Sequence, residues 1–214
     1  MRAAVRPALD GLGARLADRG VSPTTLTAAG WLVGVAACVA AATGHWTGAL
    51  LLWLGNRTLD GLDGAVARVV GPTDRGGFLD VMADFSIYAG FVVGVAVAVP
   101  DARLACLVLL ATYYASGTAF LALSSLLERR RHHHGDGRSM RFVGGLAEGT
   151  ETIVVYVLFA LLPQHAATIA WTFAAVVALT ALQRLAFALR VLAEPRQDVE
   201  PDVAATEPAS TTRD

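Results

Sequence analysis

Residues 60–85 read DGLDGAVARVVGPTDRGGFLDVMADF, and two pairs of aspartates stand out in this otherwise apolar region. Asp60 and Asp63 are three residues apart and Asp80 and Asp84 four apart, so each pair lies on one face of a helix. Carboxylates close to hydrocarbon are costly unless they bind a partner. Since hard oxygen ligands suit Mg²⁺ or Mn²⁺, we predict a metal site that holds two ions.

The composition around this stretch is that of a multi-pass membrane protein. Hydrophobic residues make up 55% of the 214 residues, and the mean hydropathy is +0.53, more apolar surface than one soluble core can bury. We therefore predict an all-α integral membrane protein with six transmembrane helices. The predicted spans cover residues 24–43, 46–69, 77–99, 103–127, 142–162 and 166–192.

The segments that flank the spans are predicted from their charges. Residues 1–20 place arginines opposite an apolar stripe at helical spacing, which predicts an amphipathic helix on the membrane surface. The catalytic domain then covers residues 21–193, and the polar tail 194–214 is predicted to be disordered. The chain has no lysine, and its arginines concentrate on one side of the predicted spans. The positive-inside rule therefore predicts an inner or plasma membrane protein with cytoplasmic termini and a cytoplasmic site.

The aspartate pairs belong to a longer pattern, D-x2-D-G-x2-A-R-x7-G-x3-D-x3-D, over residues 60–84. This pattern resembles the signature of the CDP-alcohol phosphotransferase family. The resemblance implies a six-helix membrane enzyme with a surface helix before the first span, usually forming a homodimer. It also implies a reaction in which an acceptor hydroxyl attacks the phosphorus next to the lipid and CMP leaves.

The resemblance assigns roles to individual residues. The four aspartates would ligate the metal ions, and Asp84 would also act as general base on the acceptor hydroxyl. Residues 23–27 are similar to the family's P-N-x-x-T opening of span 1, with Thr24 in place of asparagine. The CDP pocket is implied to contain Gly64, Ala67, Arg68, Gly76 and Thr27. We expect CDP-diacylglycerol as donor, because a site that opens within the inner leaflet suits a lipid-anchored nucleotide.

Span 5 is where we expect the acceptor alcohol to bind. Glu148 and Glu151 lie three apart on one helix face, and they either bind the acceptor or form structural ion pairs with arginines. The arginines that complete this predicted acceptor group are Arg57, Arg138 and Arg141. Relatives with sugar-phosphate acceptors often carry an E-R-x-E-R pattern here. Gly149 and Thr152 stand in place of its arginines, which favours a neutral polyol or an amino alcohol.

Two other classes of membrane protein also use buried acids. A membrane prenyltransferase binds diphosphate and magnesium through D-x2-D and D-x3-D motifs on distant helices, whereas 16 residues separate Asp63 from Asp80. A divalent-cation transporter would need acids along its path, and the outer halves of spans 1, 4 and 6 carry none. The expected partners are thus a CDP-linked donor, a small alcohol, the lipid bilayer and a second copy of the chain, without nucleic acid.

Overall fold

The computed structural model describes residues 2–134 and 149–193, and within these ranges every regular element is a helix. The seven α-helices are α1 (Arg2–Asp18), α2 (Pro23–Ala42), α3 (Trp46–Val70), α4 (Asp74–Ala98), α5 (Arg103–His134), α6 (Gly149–Leu161) and α7 (Ala166–Ala193). Short 3-10 helices at Pro100–Ala102 and Pro163–His165 precede α5 and α7. The predicted all-α class is confirmed for the described residues.

Four helical segments are long and apolar enough to cross a membrane: Pro23–Ala42, Asp74–Ala98, Pro100–Glu128 and Pro163–Ala193. Large apolar side chains such as Leu32, Leu107 and Leu182 are exposed along them, as expected of surfaces that face lipid. The acidic helix α3 is equally long but more charged, and the predicted start of span 5 lies outside the described residues. These findings support a multi-pass membrane protein, while the count of six spans and the surface position of α1 stay predictions.

Local sequence explains where the helices near the aspartates begin and end. Ser22 caps α2, because its Oγ accepts a hydrogen bond from the Thr25 amide at 3.3 Å. Gly71 ends α3 with a φ of 97°, a conformation that favours glycine. Thr73 then caps α4 by accepting from the Gly76 amide at 3.1 Å, so α4 begins three residues before the predicted start at 77. Only residues 71–73 connect α3 to α4.

Despite this short connection, α3 and α4 pack mainly against α2 and approach each other at few points. Glycines allow the close packing on α2. A Cβ on Gly94 of α4 would lie 2.7 Å from the carbonyl oxygen of Cys38, and one on Gly34 of α2 would lie 2.8 Å from the Ile87 side chain. Because α2 holds both helices, a cleft remains between α3 and α4 near their connection.

An aromatic cluster, formed by Trp53, Tyr88, Phe91 and Tyr156, joins α3, α4 and α6 below this cleft. The ring centroids of Trp53 and Tyr156 are 4.6 Å apart, and those of Phe91 and Tyr156 are 5.0 Å apart. The Tyr156 hydroxyl donates a hydrogen bond to the carbonyl oxygen of Tyr88 at 2.7 Å. Aromatic contacts of this kind add to the energy of burial and give the cleft a rigid base.

Candidate functional site

Three of the four predicted aspartates converge between α3 and α4. Asp60 and Asp63 of α3 and Asp80 of α4 each offer a carboxylate oxygen, and these oxygens lie within 4.8 Å of one another. Three negative groups this close repel one another, and a divalent cation would relieve that repulsion. The donor set, composed of carboxylate oxygens alone, fits Mg²⁺ or Mn²⁺. We call these three residues the carboxylate triad.

Asp84 lines the same cleft, and its carboxylate pairs with Arg57. The Arg57 Nη2 donates to Asp84 Oδ1 at 2.9 Å, while Nη1 lies 3.5 Å from Asp60 Oδ2. Only 8% of the Arg57 side chain is exposed. The structure therefore places Arg57, which was predicted to belong to the acceptor group, among the aspartates.

The cleft that these residues line is narrow. Its volume of about 10 Å³ is enough for one occupant of the size of a water molecule or an ion. Besides the aspartates and Arg57, the lining includes Thr27, Trp31 and Asn56. The structure thus supplies a polar, ion-sized cleft, flanked by three helices, at the inner end of the bundle predicted from the arginines.

Thr27, predicted for the CDP pocket, contacts the carboxylate triad directly. Its hydroxyl lies 2.7 Å from Asp63 Oδ2 and donates a hydrogen bond to it. Thr27 stands on the second turn of α2, whose start is fixed by the Ser22 cap. A hydrogen bond from a neighbouring hydroxyl orients a carboxylate in the way that outer-shell partners orient metal ligands.

The other residues predicted for the CDP pocket lie around the connection between α3 and α4. A Cβ on Gly64 would lie 3.5 Å from Arg68 Nη1, so the glycine leaves space beside the guanidinium. Arg68 Nη2 pairs with Asp10 Oδ1 of α1 at 2.6 Å, and both side chains are about half exposed. Ala67 is half-buried in the last turns of α3, and Gly76 lies in the first turn of α4. Their contact with CDP stays a prediction.

Of the predicted acceptor residues, Glu148, Arg138 and Arg141 lie outside the described part of the chain. Glu151 lies in the first turn of α6 and lines a separate cavity of about 520 Å³ between α6 and α7. That cavity is mainly apolar, with Phe173 among its lining residues. Glu151 is not among the residues that line the aspartate cleft.

Sequence reasoning missed two polar residues of the cleft, Asn56 and Tyr88. Asn56 is buried, donates to the Gly30 carbonyl of α2 at 2.8 Å and accepts from Arg57 Nη2 at 2.6 Å. The Tyr88 hydroxyl accepts from Arg57 Nη1 at 2.7 Å. Tyr88 follows Asp84 by four residues, so helical spacing alone placed both on one face of α4. Asn56 carried a weaker signal, a single amide within an apolar span.

Comparison with known proteins agrees with the aspartate pattern. Residues 21–182 match the sequence model of the CDP-alcohol phosphatidyltransferase family. Over 178 residues the chain is 39% identical to "Inner membrane protein YnjF" of Escherichia coli strain K12, which covers 80% of this chain and 85% of that protein. The match confirms the family predicted from residues 60–84.

Two solved structures of phosphatidylinositol phosphate synthase (PgsA1) from Mycobacterium tuberculosis share the fold. The one with CDP-DAG bound has a TM-score of 0.68 at 20% identity, covering 84% of this chain and 92% of that chain. The one in complex with manganese and citrate also has a TM-score of 0.68 at 20% identity, covering 85% of this chain and 88% of that chain. At this level of identity the likeness establishes the fold.

Proposed function

We propose that this chain, which belongs to the CDP-alcohol phosphatidyltransferase family, transfers a phosphatidyl group from CDP-diacylglycerol to a small alcohol and releases CMP. The reaction class, phosphatidyl transfer by a membrane enzyme, is that of the family. The carboxylate triad in the cleft between α3 and α4 is the observation that carries the proposal. CDP-diacylglycerol as donor is supported by the PgsA1 structure with CDP-DAG bound.

Asp60, Asp63 and Asp80 would hold Mg²⁺ or Mn²⁺, and the PgsA1 complex with manganese supports this choice. The bound ions would neutralise the donor diphosphate and stabilise the charge that develops during transfer. Two ions are proposed because a diphosphate and an in-line displacement benefit from two positive centres. Thr27 would keep Asp63 oriented toward them through its hydrogen bond.

Asp84 would be the general base. The acceptor hydroxyl would give its proton to the Asp84 carboxylate while its oxygen forms a bond to the lipid-linked phosphorus. The bond between that phosphorus and the CMP oxygen would break, so CMP leaves with the electron pair. Gly64 and Ala67 would leave space for the nucleotide, and Arg68 would bind phosphate oxygens. Gly76 and Thr27 would complete the CDP pocket.

The acceptor would be a small alcohol without a phosphate group. Thr152 is buried in α6 at a position where phosphate-binding relatives carry arginine. Glu151, with Glu148 and the arginines Arg138 and Arg141, would bind hydroxyl or amino groups of this acceptor. Arg57 would be left out of this group, because its printed contacts are to residues of the aspartate cleft.

The membrane setting is proposed from the arginine distribution and from the relative named an inner membrane protein. The enzyme would be a six-span inner membrane protein whose α1 lies on the cytoplasmic surface. Both termini and the aspartate cleft would be cytoplasmic, where CDP-linked donors are made, and the enzyme would work as a homodimer.

The decisive experiment is an assay of CMP release from purified protein with CDP-diacylglycerol and Mn²⁺ or Mg²⁺. The acceptors to compare are serine, inositol, inositol phosphate, glycerol and glycerol phosphate. Metal-dependent CMP release with an unphosphorylated acceptor is the expected result, since a cation transporter would release none. Release with glycerol phosphate or inositol phosphate alone would overturn the acceptor class while leaving the donor chemistry intact.

A further inference from the structure

Arg57 links the two helices that carry the aspartates. It lies on α3, and its guanidinium is stacked between the rings of Trp53 on α3 and Tyr88 on α4, 4.9 Å from each centroid. The side chain is 8% exposed, although α3 and α4 otherwise approach each other at few points. A charge this deeply buried is costly unless its environment is arranged to hold it.

The hydrogen bonds of Arg57 fix its guanidinium in one orientation. Nε and Nη2 donate to Asn56 Oδ1 at 2.8 and 2.6 Å, and Asn56 is itself anchored to the Gly30 carbonyl of α2. Nη1 donates to the Tyr88 hydroxyl at 2.7 Å, and Nη2 donates to Asp84 Oδ1 at 2.9 Å. A planar guanidinium with donors used on several sides cannot turn without breaking several bonds at once.

The consequence falls on Asp84. Among the described residues the carboxylates that converge are Asp60, Asp63 and Asp80, whereas Asp84 points one oxygen at Arg57. A fourth carboxylate without such a partner would be drawn to the same cations as the other three.

We propose that Arg57 is a positioning residue that holds Asp84 apart from the carboxylate triad, so that Asp84 takes the proton of the acceptor instead of ligating metal. The inference rests on the proposed function. Arg57 holds Oδ1 of Asp84, which directs the proton to Oδ2. The arrangement separates two tasks of chemically identical side chains: three carboxylates bind the ions and the fourth accepts a proton.

The test combines CMP release with a binding measurement that does not need turnover. Mn²⁺ affinity is measured by electron paramagnetic resonance of free Mn²⁺ for four proteins: the unmodified chain, Asp84→Asn, Arg57→Gln and the double variant. In the Arg57 background, Asp84→Asn should change Mn²⁺ affinity by less than about threefold, because Asp84 is not a ligand. In the Arg57→Gln background, the same change should weaken affinity by about tenfold or more, because the released Asp84 has joined the site. An equal effect of Asp84→Asn in both backgrounds would overturn the proposal.

CMP release gives the second readout. Arg57→Gln should lower kcat by about 10- to 100-fold, as expected when an outer-shell partner is lost, with KM for the acceptor nearly unchanged. Arg57→Lys should restore part of that loss, because it keeps the charge but lacks the planar set of donors. Arg103→Lys and Arg103→Gln, at the exposed opposite end of the bundle, are the matched controls and should leave kcat unchanged.

Folding is monitored by the melting temperature of each purified variant. If Arg57→Gln does not fold, Arg57→Lys decides: kcat equal to that of the unmodified chain would overturn the proposal, and a reduced kcat with retained Mn²⁺ affinity would support it. If the unmodified chain releases no CMP, the proposed function fails, and the Mn²⁺ comparison still decides whether Arg57 keeps Asp84 from the metal.

Discussion

The helices α2, α3 and α4 form a bundle whose two ends are built differently. At the closed end, Gly94 of α4 meets the Cys38 carbonyl and Ala41 of α2, and Ala37 and Val95 are fully buried nearby. At the open end, the same helices enclose the aspartate cleft. The closed end contains small apolar residues that gain from close approach, whereas the open end contains like charges that gain nothing from it. Packing at the closed end therefore brings the carboxylates together.

This difference predicts that chemistry and stability separate along the bundle. Changes at the open end should alter catalysis and metal binding, and changes at the closed end should alter the melting temperature. The expected effects fall in magnitude from removal of the metal, through the base and the hydroxyl of Thr27, to a closed-end glycine and an exposed ion pair.

Removing divalent cations should have the largest effect. Treatment with EDTA should reduce CMP release to background, because the carboxylate triad alone presents negative charge to a negatively charged diphosphate. Mn²⁺ or Mg²⁺ should restore activity, and a monovalent salt at equal ionic strength should not. Activity that persists after chelation would show that the open end does not work as a metal site.

Replacement of the proposed base should come next. Asp84→Asn should lower kcat by about 10²- to 10⁴-fold, the usual contribution of a general base, with the protein still folded. Asp101→Asn, an exposed aspartate before α5, is the control and should behave like the unmodified chain. The kcat values come from CMP release at saturating donor. An unchanged kcat in Asp84→Asn would move the role of base to another residue.

Thr27→Val tests the contact between α2 and the carboxylate triad. The substitution keeps the shape of the side chain but removes the donor to Asp63, so Mn²⁺ affinity should fall by about 10- to 100-fold. Thr58→Val is the matched control, because the Thr58 hydroxyl bonds only to the Leu54 carbonyl of its own helix among the printed contacts. Both affinities are measured by titration with Mn²⁺. Equal affinities in the two variants would limit Thr27 to a packing role.

The open end was the more predictable of the two ends. The spacing of the aspartates placed each pair on one face, and the short connection brought the pairs to one end of the bundle. Apolar runs and caps gave helix bounds close to those observed, as for the predicted span 46–69 and α3 at Trp46–Val70. These features are local in sequence, so that a single helix or a single turn determines them.

What the sequence did not predict depends on contacts between distant segments. A tight pairing of α3 with α4 was expected, and instead α2 lies against both. That arrangement brings Asn56 to the Gly30 carbonyl and directs Arg57 to Asp84. No periodicity within α3 distinguishes an arginine that faces an acceptor from one that faces a carboxylate on α4. The pair between Asp10 and Arg68 has the same origin, since α1 and α3 are 58 residues apart at this contact.

Gly94→Ala tests the closed end. The new Cβ would lie 2.7 Å from the Cys38 carbonyl oxygen and 3.1 Å from the Ala41 Cβ, so α2 and α4 must move apart. Overpacking of this kind costs about 1–3 kcal/mol, and the melting temperature should fall. In Gly48→Ala, the control, the Cβ meets nothing closer than 3.9 Å, and the melting temperature should stay or rise. If Gly94→Ala lost Mn²⁺ affinity without a loss of stability, the two ends would not be separable.

The smallest effect is expected from Asp10→Asn, which breaks the exposed ion pair between α1 and Arg68 at the rim of the open end. Exposed pairs contribute about 0–1 kcal/mol, so the melting temperature should hardly change, and KM for CDP-diacylglycerol should change by less than about fivefold. Asp18→Asn, also exposed on α1, serves as the control and should change neither value. A higher KM for Asp10→Asn alone, with kcat intact, would mean that Asp10 orients Arg68 toward the donor phosphates. A lower KM would mean that Asp10 competes with those phosphates for the guanidinium, because an ion pair that must break before binding weakens binding by its own energy.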